Sequence, residues 1–221
     1  MSDGEAGAAA LPRLHVLVTD AVAARPGFRS RAAGLREACG SRLALHLRLR
    51  EASGRAIFDL ARTLLGDAGR HGGWVVVNGR LDVALAAGAH AVQLGREALP
   101  LSRAREVASG RLRIGASVHG PDEASAAAGD GADFVVLGTI FATPSHPGIE
   151  PSGPAAVAAC RDVGIPILAI GGVRADRVPE LLAAGAHGVA VVRAVWEAED
   201  PRDAAAGLLA ALERGSRDGH G

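Results

Sequence analysis

The chain has 221 residues, 48% of them hydrophobic, and its 24 basic side chains balance 24 acidic ones. This length accommodates one α/β barrel or two small domains, with enough apolar residues for a large core. The zero net charge argues against a nucleic-acid groove or a membrane-surface patch. Aromatic residues make up only 3% of the chain and tyrosine is absent, so base-stacking surfaces are not expected either.

The ends of the chain and its cysteines predict a cytoplasmic protein. Residues 1–12 lack a basic region followed by a long apolar run, so we expect a mobile tail rather than a signal peptide or membrane anchor. Residues 215–221 are expected to fray. Cys39 and Cys160 lie far apart without metal-ligand spacing, which is typical of buried thiols in a reducing compartment.

Hydrophobic alternation predicts eight strands. In the clearest one, leucines at every second position share one face, and the other face carries Ala44, His46, Arg48 and Arg50. The predicted strands are His15–Val18, Leu43–Arg48, Trp74–Val77, Ala91–Gln93, Arg113–Ser117, Phe134–Leu137, Ile167–Ile170 and Gly188–Val191. Helices are predicted between them, among others at Gly54–Leu65, Asp82–Ala87, Pro121–Ala128, Pro154–Cys160, Arg177–Ala184 and Arg202–Leu212.

A helix end, a glycine turn and a short strand occur together three times, beginning at Ala86, Ala127 and Ala183. Glycine suits the left-handed position just past a helix, so each unit reads as helix, tight turn and buried strand. Such repetition indicates βα units on a parallel sheet. We therefore predict a single (β/α)₈ TIM barrel over residues 13–214. An open doubly wound sheet is the alternative, but no Gly-rich dinucleotide turn follows the first strand.

Polar residues cluster where the predicted strands end, at the end of a TIM barrel that carries its active site. We call this end, with the loops that follow the strands, the mouth. The second strand ends in basic residues, which predict an anion site, although a solvated strand face is the alternative. The third strand ends in Asn78, and the fifth in Ser117 and His119. An imidazole here predicts acid/base catalysis, with a structural histidine as the alternative.

Two later turns predict a phosphate site. Gly171 and Gly172 follow the seventh strand, and Val192 and Arg193 follow the eighth. Backbone N–H groups at such turns can approach an anion closely. The long loop after the sixth strand, with Thr143, Ser145 and His146, is predicted to be a lid or to contact substrate, and a connector rigidified by prolines is the alternative.

Together these motifs resemble the thiamine phosphate synthase/TenI family from about Leu14 to Ala198. The segments that carry the resemblance are Leu17–Asp20, which is similar to the family's opening strand, Leu45–Arg50 (Gln-Leu-Arg-x-Lys in the family), Gly138–Pro144 (Gly-Pro-Ile-Phe-x-Thr-Pro), and the turns at Ala169–Gly172 and Gly188–Arg193. The resemblance implies a (β/α)₈ barrel that acts on the thiazole phosphate half of thiamine.

Some positions depart from the synthase pattern. Gly79 and Ala98 stand where the synthases carry two aspartates that hold magnesium for the pyrimidine diphosphate. His46, Arg50 and His146 stand where the family has Gln, Lys and Lys. The TenI-type thiazole tautomerases resemble this chain in lacking the acidic pair. The resemblance therefore implies no metal or other cofactor, and magnesium only if the chain is a synthase.

The leading functional hypothesis is a metal-independent thiazole tautomerase that aromatises thiazole carboxylate phosphate. His119 would be the general acid/base, Asn78 and Ser117 would orient the ring, and Arg48 and Arg50 would pair with the carboxylate. The substrate phosphate would bind the two turns described above. The expected partner is this small molecule, with no nucleic acid or membrane, and a homo-oligomer is left open.

The first alternative is a thiamine phosphate synthase. In that hypothesis the pyrimidine diphosphate would contact Arg48, Asn78, Ser117 and His146, and the thiazole carboxylate would contact Thr143 and Ser145. His46 is also expected to bind substrate. The second alternative is a barrel that binds a thiamine precursor without catalysis.

Overall fold

The computed structural model describes residues 10–144, 148 and 150–218. Its eight parallel strands pair in sequence order and close into one barrel, which confirms the predicted fold. Each strand agrees with its predicted bounds to within one residue at either end. The strands are Leu14–Thr19 (β1), Leu43–Arg48 (β2), Trp74–Asn78 (β3), Ala91–Leu94 (β4), Arg113–Val118 (β5), Phe134–Leu137 (β6), Ile167–Ile170 (β7) and Gly188–Val191 (β8).

Helices cover the outside of the barrel in the described part of the chain. They are Asp20–Ala23 (α1), Phe28–Cys39 (α2), Gly54–His71 (α3), Leu81–Ala87 (α4), Leu101–Ala108 (α5), Pro121–Gly129 (α6), Gly153–Ala159 (α7), Val178–Ala183 (α8), Arg193–Trp196 (α9) and Pro201–Asp218 (α10). No helix in the described ranges is long and apolar enough to cross a membrane.

Two of these helices are longer than the sequence pattern predicts. Helix α3 continues six residues past its predicted end at Leu65, because Ala68 is buried against the barrel and Gly72 provides the C-cap. Helix α10 ends at Asp218, so the predicted boundary at residue 214 falls inside it. The last residues expected to fray, 219–221, and the first nine of the predicted tail lie outside the described residues.

The strands are buried on both faces. One apolar layer lies between the strands and the helices and includes the leucines of β2. A second, smaller layer fills the barrel interior and is built from Leu17, Ala44, Trp74, Val76, Ala91, Phe134, Val136, Leu168 and Ala190. Ala44 and His46 are 0% and 1% exposed, so this part of the β2 face is core rather than a solvated surface.

The register brings the strand ends together at the mouth. Thr19 of β1 pairs with Arg48 of β2, and Asn78 of β3 pairs with Gln93 of β4. On the other side of the barrel, β7 pairs with β8. Residues that are far apart in sequence therefore face one shared space.

An aspartate holds part of the opposite, amino-terminal rim. The carboxylate of Asp133, just before β6, accepts a hydrogen bond of 2.7 Å from the backbone N–H of Ile114. It also pairs with Arg105 from α5 and with Arg113 from β5. These contacts connect β5, β6 and α5 at the end of the barrel away from the mouth.

Candidate active site

The mouth holds a cavity of about 1260 Å³. Charged residues in its described lining are mostly basic: the acidic side chains are Glu97 and Glu197, whereas the basic ones, apart from two histidines, are Arg48, Arg50, Arg80, Arg96, Arg174, Arg177 and Arg193. Some of these arginines pair with acids outside the lining, such as Arg80 with Asp82 and Arg174 with Asp176. In a chain without net charge, this excess marks the mouth as a site for anions.

The arginines at the end of β2 are the clearest unneutralised charges. Within the described residues, neither the Arg48 nor the Arg50 guanidinium has an ion-pair partner. Burial and the neighbouring Arg50 lower the pKa of Arg48. The carboxylate of Asp20 acts against this lowering of the Arg48 pKa, but it accepts its hydrogen bonds from the backbone N–H groups of Arg50 and Glu51. The geometry therefore leaves both guanidinium groups available to an anionic ligand.

His46 lies deeper than the arginines that follow it on β2. One of its ring nitrogens is 2.7 Å from a ring nitrogen of His15, and the other is 3.2 Å from the side-chain oxygen of Asn78. It borders the base of the cavity but is almost fully buried. Its predicted contact with substrate therefore remains a prediction, and its observed contacts are with other side chains.

His119 lies at the rim of the mouth and is held by a glutamate. Its side chain is 56% exposed, and its Nδ1 lies 3.1 Å from the carboxylate of Glu123. The same carboxylate accepts from the backbone N–H of His119 at 2.9 Å and pairs with Arg96. Burial raises the pKa of Glu123, but His119 and Arg96 outweigh it and lower the pKa below its ordinary value. A carboxylate at Nδ1 favours a proton on that nitrogen, and Nε2 makes no hydrogen bond to the described residues.

Sequence reasoning missed Glu123 and Arg96. The signal for Glu123 was its position four residues after His119, across the start of α6 at Pro121. Arg96 gave no such signal, because it lies in the loop after β4 and meets Glu123 only in the folded barrel.

Ser117 lies on the interior face of β5 and lines the cavity beside Gln93. The amide nitrogen of Gln93 donates to the Ser117 hydroxyl oxygen at 3.0 Å. The amide oxygen of Gln93 is buried and has no hydrogen-bond partner among the described residues. The pair fixes the position of the Ser117 hydroxyl.

The Gly-Gly turn after β7 has no room for side chains. A Cβ on Gly172 would lie 2.6 Å from the carbonyl oxygen of Ala142, and its φ of +60° also favours glycine. The Gly172 carbonyl accepts from Arg177 at 3.2 Å, and the Arg177 guanidinium lies 4.3 Å above the ring of Phe141. Sequence reasoning missed Arg177, which adds a positive charge beside this turn.

The predicted phosphate residues come together on one side of the mouth. Gly171 and Gly172 follow β7, Val192 and Arg193 follow its neighbour β8, and all four line the cavity. The helix that begins at Arg193 is a single turn. Thr143 also lines the cavity, whereas Ser145 and His146 lie outside the described residues.

The side chains at the mouth do not fit the magnesium site of the synthases. The two positions of the aspartate pair carry Gly79 and Ala98, which offer no side-chain oxygen. The acidic residues in the described lining, Glu97 and Glu197, come from loops on different sides of the barrel. Hard cations such as magnesium need carboxylate oxygens, so this donor set is unsuited to the ion.

Comparisons with known proteins agree with the fold. A thiamine-phosphate synthase of Gloeobacter violaceus is 45% identical over 172 residues, which are 77% of this chain and 50% of that protein. The chain thus spans half of that relative's length. A putative thiamine-phosphate synthase of Geobacter sulfurreducens is 43% identical over 177 residues, which are 79% of this chain and 83% of that protein.

A solved structure supports the same relationship. It is that of a thiamine phosphate pyrophosphorylase from Pyrococcus furiosus, with a TM-score of 0.81 and 32% identity, and the match covers 92% of this chain and 96% of that one. The family model described as thiamine monophosphate synthase matches residues 16–195. The chain therefore belongs to the thiamine monophosphate synthase/TenI family.

Proposed function

We propose that the protein is an enzyme of thiamine biosynthesis that binds a thiazole phosphate at the mouth of its barrel. The turns after β7 and β8 are the expected phosphate site, since Gly171, Gly172, Val192 and Arg193 adjoin there. Arg177 adds positive charge beneath the first turn.

Of the two reactions considered for this mouth, we propose the synthase reaction, in which a pyrimidine joins the thiazole nitrogen and diphosphate leaves. The names of the relatives support this alternative, and they give no support to the tautomerase that the sequence favoured. The observation that carries it here is the cavity, whose volume of about 1260 Å³ exceeds the roughly 300–1,000 Å³ usual for one small ligand. A cavity of this size has room for two substrates.

In this proposal arginines neutralise the leaving diphosphate. Negative charge grows on the diphosphate as its bond to the pyrimidine carbon breaks, so groups that bind this charge lower the barrier. Arg48 and Arg50 are suited to this role because the described residues leave them without ion-pair partners. Ser117, held by Gln93, offers a hydroxyl donor nearby. His46, Thr143, Ser145 and His146 remain predicted substrate contacts.

The tautomerase is the second candidate, and one specific observation favours it. His119 is fixed by Glu123 with one ring nitrogen free to face a substrate, which suits a group that removes and returns a proton. That reaction needs no metal, in agreement with Gly79 and Ala98 at the positions of the aspartate pair. The carboxylate of the substrate would then pair with Arg48 and Arg50.

The experiment measures both reactions on one preparation. Thiamine phosphate and released diphosphate are followed with the pyrimidine diphosphate and thiazole phosphate, across a magnesium titration and with EDTA. Aromatisation of thiazole carboxylate phosphate is followed separately. We expect thiamine phosphate to form, and Arg48→Gln to slow it more than His119→Asn does. Rapid aromatisation without any thiamine phosphate would overturn the proposal in favour of the second candidate.

A further inference from the structure

A line of buried hydrogen bonds connects the base of the barrel with Asn78 at the mouth. The carbonyl oxygen of Pro12 lies 2.8 Å from Nε2 of His15. Nδ1 of His15 lies 2.7 Å from Nε2 of His46, and Nδ1 of His46 lies 3.2 Å from the amide oxygen of Asn78. The two histidines are 0% and 1% exposed. Only His46 and Asn78 of these residues border the cavity.

Both imidazoles are neutral at physiological pH. Burial, reinforced by the neighbouring His46, lowers the pKa of His15 well below its ordinary value. Burial also lowers the pKa of His46, to about 4, against an opposing contribution from Asn78. The other titratable group acting on His15 is His187, which lowers its pKa further. A charged ring here would need a carboxylate partner, and neither ring has one among the described residues.

Counting protons fixes the direction of every bond in the line. Two neutral rings carry two protons on four nitrogens. The Pro12 carbonyl can only accept, so His15 holds its proton on Nε2 and accepts at Nδ1. His46 must then donate from Nε2, and its Nδ1 keeps a lone pair. The carbonyl oxygen of Asn78 cannot donate a hydrogen bond to this lone pair. The amide nitrogen of Asn78 can donate one after a half-turn of the side-chain amide.

We propose that the pair of His15 and His46 holds the Asn78 amide with its nitrogen toward the barrel interior and its oxygen toward the mouth. Asn78 is then a specificity residue that accepts a hydrogen bond from a ligand N–H or O–H group. Its oxygen repels phosphate oxygens, so Asn78 binds the uncharged part of a substrate rather than a diphosphate. The orientation of the Asn78 amide does not depend on the proposed function. Only the identity of the ligand rests on that proposal.

The proton positions are measured directly on the free protein. Long-range proton–nitrogen NMR at pH 7 distinguishes the two neutral tautomers of histidine from the cation, and His46→Gln assigns the His46 signals among the eight histidines. We expect both rings to be neutral with the proton on Nε2. A proton on Nδ1 of His46, in either the neutral or the charged ring, would overturn the inference.

The variant Asn78→Asp provides a second test of the His46 proton. Asn78 is the last residue of the hydrogen-bonded line and borders the cavity. A carboxylate cannot donate to Nδ1 of His46, so we expect the His46 ring to take up a proton and its pKa to rise in this variant. A rise in the pKa alone does not separate the two orientations, because a carboxylate beside Nδ1 favours the charged ring in both. If Asn78 instead presents its oxygen to His46 in the wild type, Nδ1 of His46 carries a proton in both proteins and does not change from unprotonated to protonated. That second result would contradict the proposal.

A binding experiment separates the uncharged part of a ligand from its phosphates. The probes are hydroxymethylpyrimidine, which carries hydrogen-bond donors but no phosphate, and inorganic diphosphate. For Asn78→Leu we expect at least a fivefold loss of affinity for hydroxymethylpyrimidine and a change of less than twofold for diphosphate. A larger loss for diphosphate would show that Asn78 binds phosphate oxygens. The NMR measurements stand even if neither reaction of the proposed function is found.

Discussion

Removing the Arg48 side chain tests the proposal that arginines at the end of β2 bind the diphosphate. In Arg48→Gln the variant keeps a polar side chain but loses the charge and the forked donor. A hydrogen bond to a charged group contributes about 1.5–3 kcal/mol, which corresponds to a loss of affinity of about 10- to 150-fold. The guanidinium is half-buried, so solvent does not fully screen this interaction.

The structure favours the lower part of this range of affinity losses. Arg50 repels Arg48, as its lowering effect on the Arg48 pKa shows, so removing Arg48 also relieves an unfavourable interaction in the free protein. Arg50 remains in place to bind the same anion. We therefore expect about a 10- to 30-fold loss of affinity for inorganic diphosphate. Arg48→Lys keeps the charge without the fork, and its loss should be smaller.

The assay is isothermal titration of diphosphate into the wild type and each variant at one ionic strength. Arg55→Gln is the matched control, since Arg55 lies on α3 outside the cavity lining, is 84% exposed and pairs with Asp59. It should bind diphosphate as the wild type does. A loss below about threefold in Arg48→Gln, or an equal loss in Arg55→Gln, would refute the assignment of Arg48.

Three further predictions concern metal, catalysis and stability. EDTA should leave the affinity for thiazole phosphate unchanged in calorimetry, and a strict magnesium requirement would contradict the donor set at the mouth. His119→Asn should slow aromatisation of thiazole carboxylate phosphate by about 10²–10⁴-fold if that reaction occurs, without changing phosphate binding in parallel titrations. Asp133→Asn should lower the free energy of unfolding by about 1–3 kcal/mol at pH 7, measured by urea unfolding. Burial raises the pKa of Asp133, but Arg105, the Ile114 N–H and Arg113 outweigh it and lower the pKa. The carboxylate therefore stabilises the fold above its unfolded pKa of about 3.9, and the difference between the two proteins should disappear as pH falls through the lowered folded pKa.

The sequence predicted the strands well because their signal is local. Alternation in β2 and the short apolar runs of β6 and β7 are set by which faces are buried, and each run ends at a glycine or a polar residue. Helix ends were harder. Gly66 and Gly69 interrupt the pattern of α3, yet packing of Leu64 and Ala68 on the barrel carries the helix past them.

The site was predicted only in part, because its geometry depends on the stagger between strands. Alternation placed His46 and Arg48 on one face of β2. It could not show that His46 lies in the buried core whereas Arg48, two residues later, lies at the open mouth. His15 was not singled out at all. Its role follows from the register between β1 and β2, which brings it within hydrogen-bond distance of His46. Arg177 likewise requires the contact of two loops.

The arginines at the two ends of the barrel differ in their partners. At the amino-terminal rim, Arg105 and Arg113 share Asp133, and Arg13 donates to backbone carbonyls of His187 and Leu212. These side chains connect elements at the amino-terminal rim, whereas the Arg48 and Arg50 guanidinium groups have no ion-pair partner among the described residues. The guanidinium groups of Arg48 and Arg50 thus add positive charge at the mouth. Anions should be drawn toward one end, and their association rate should fall as the ionic strength rises.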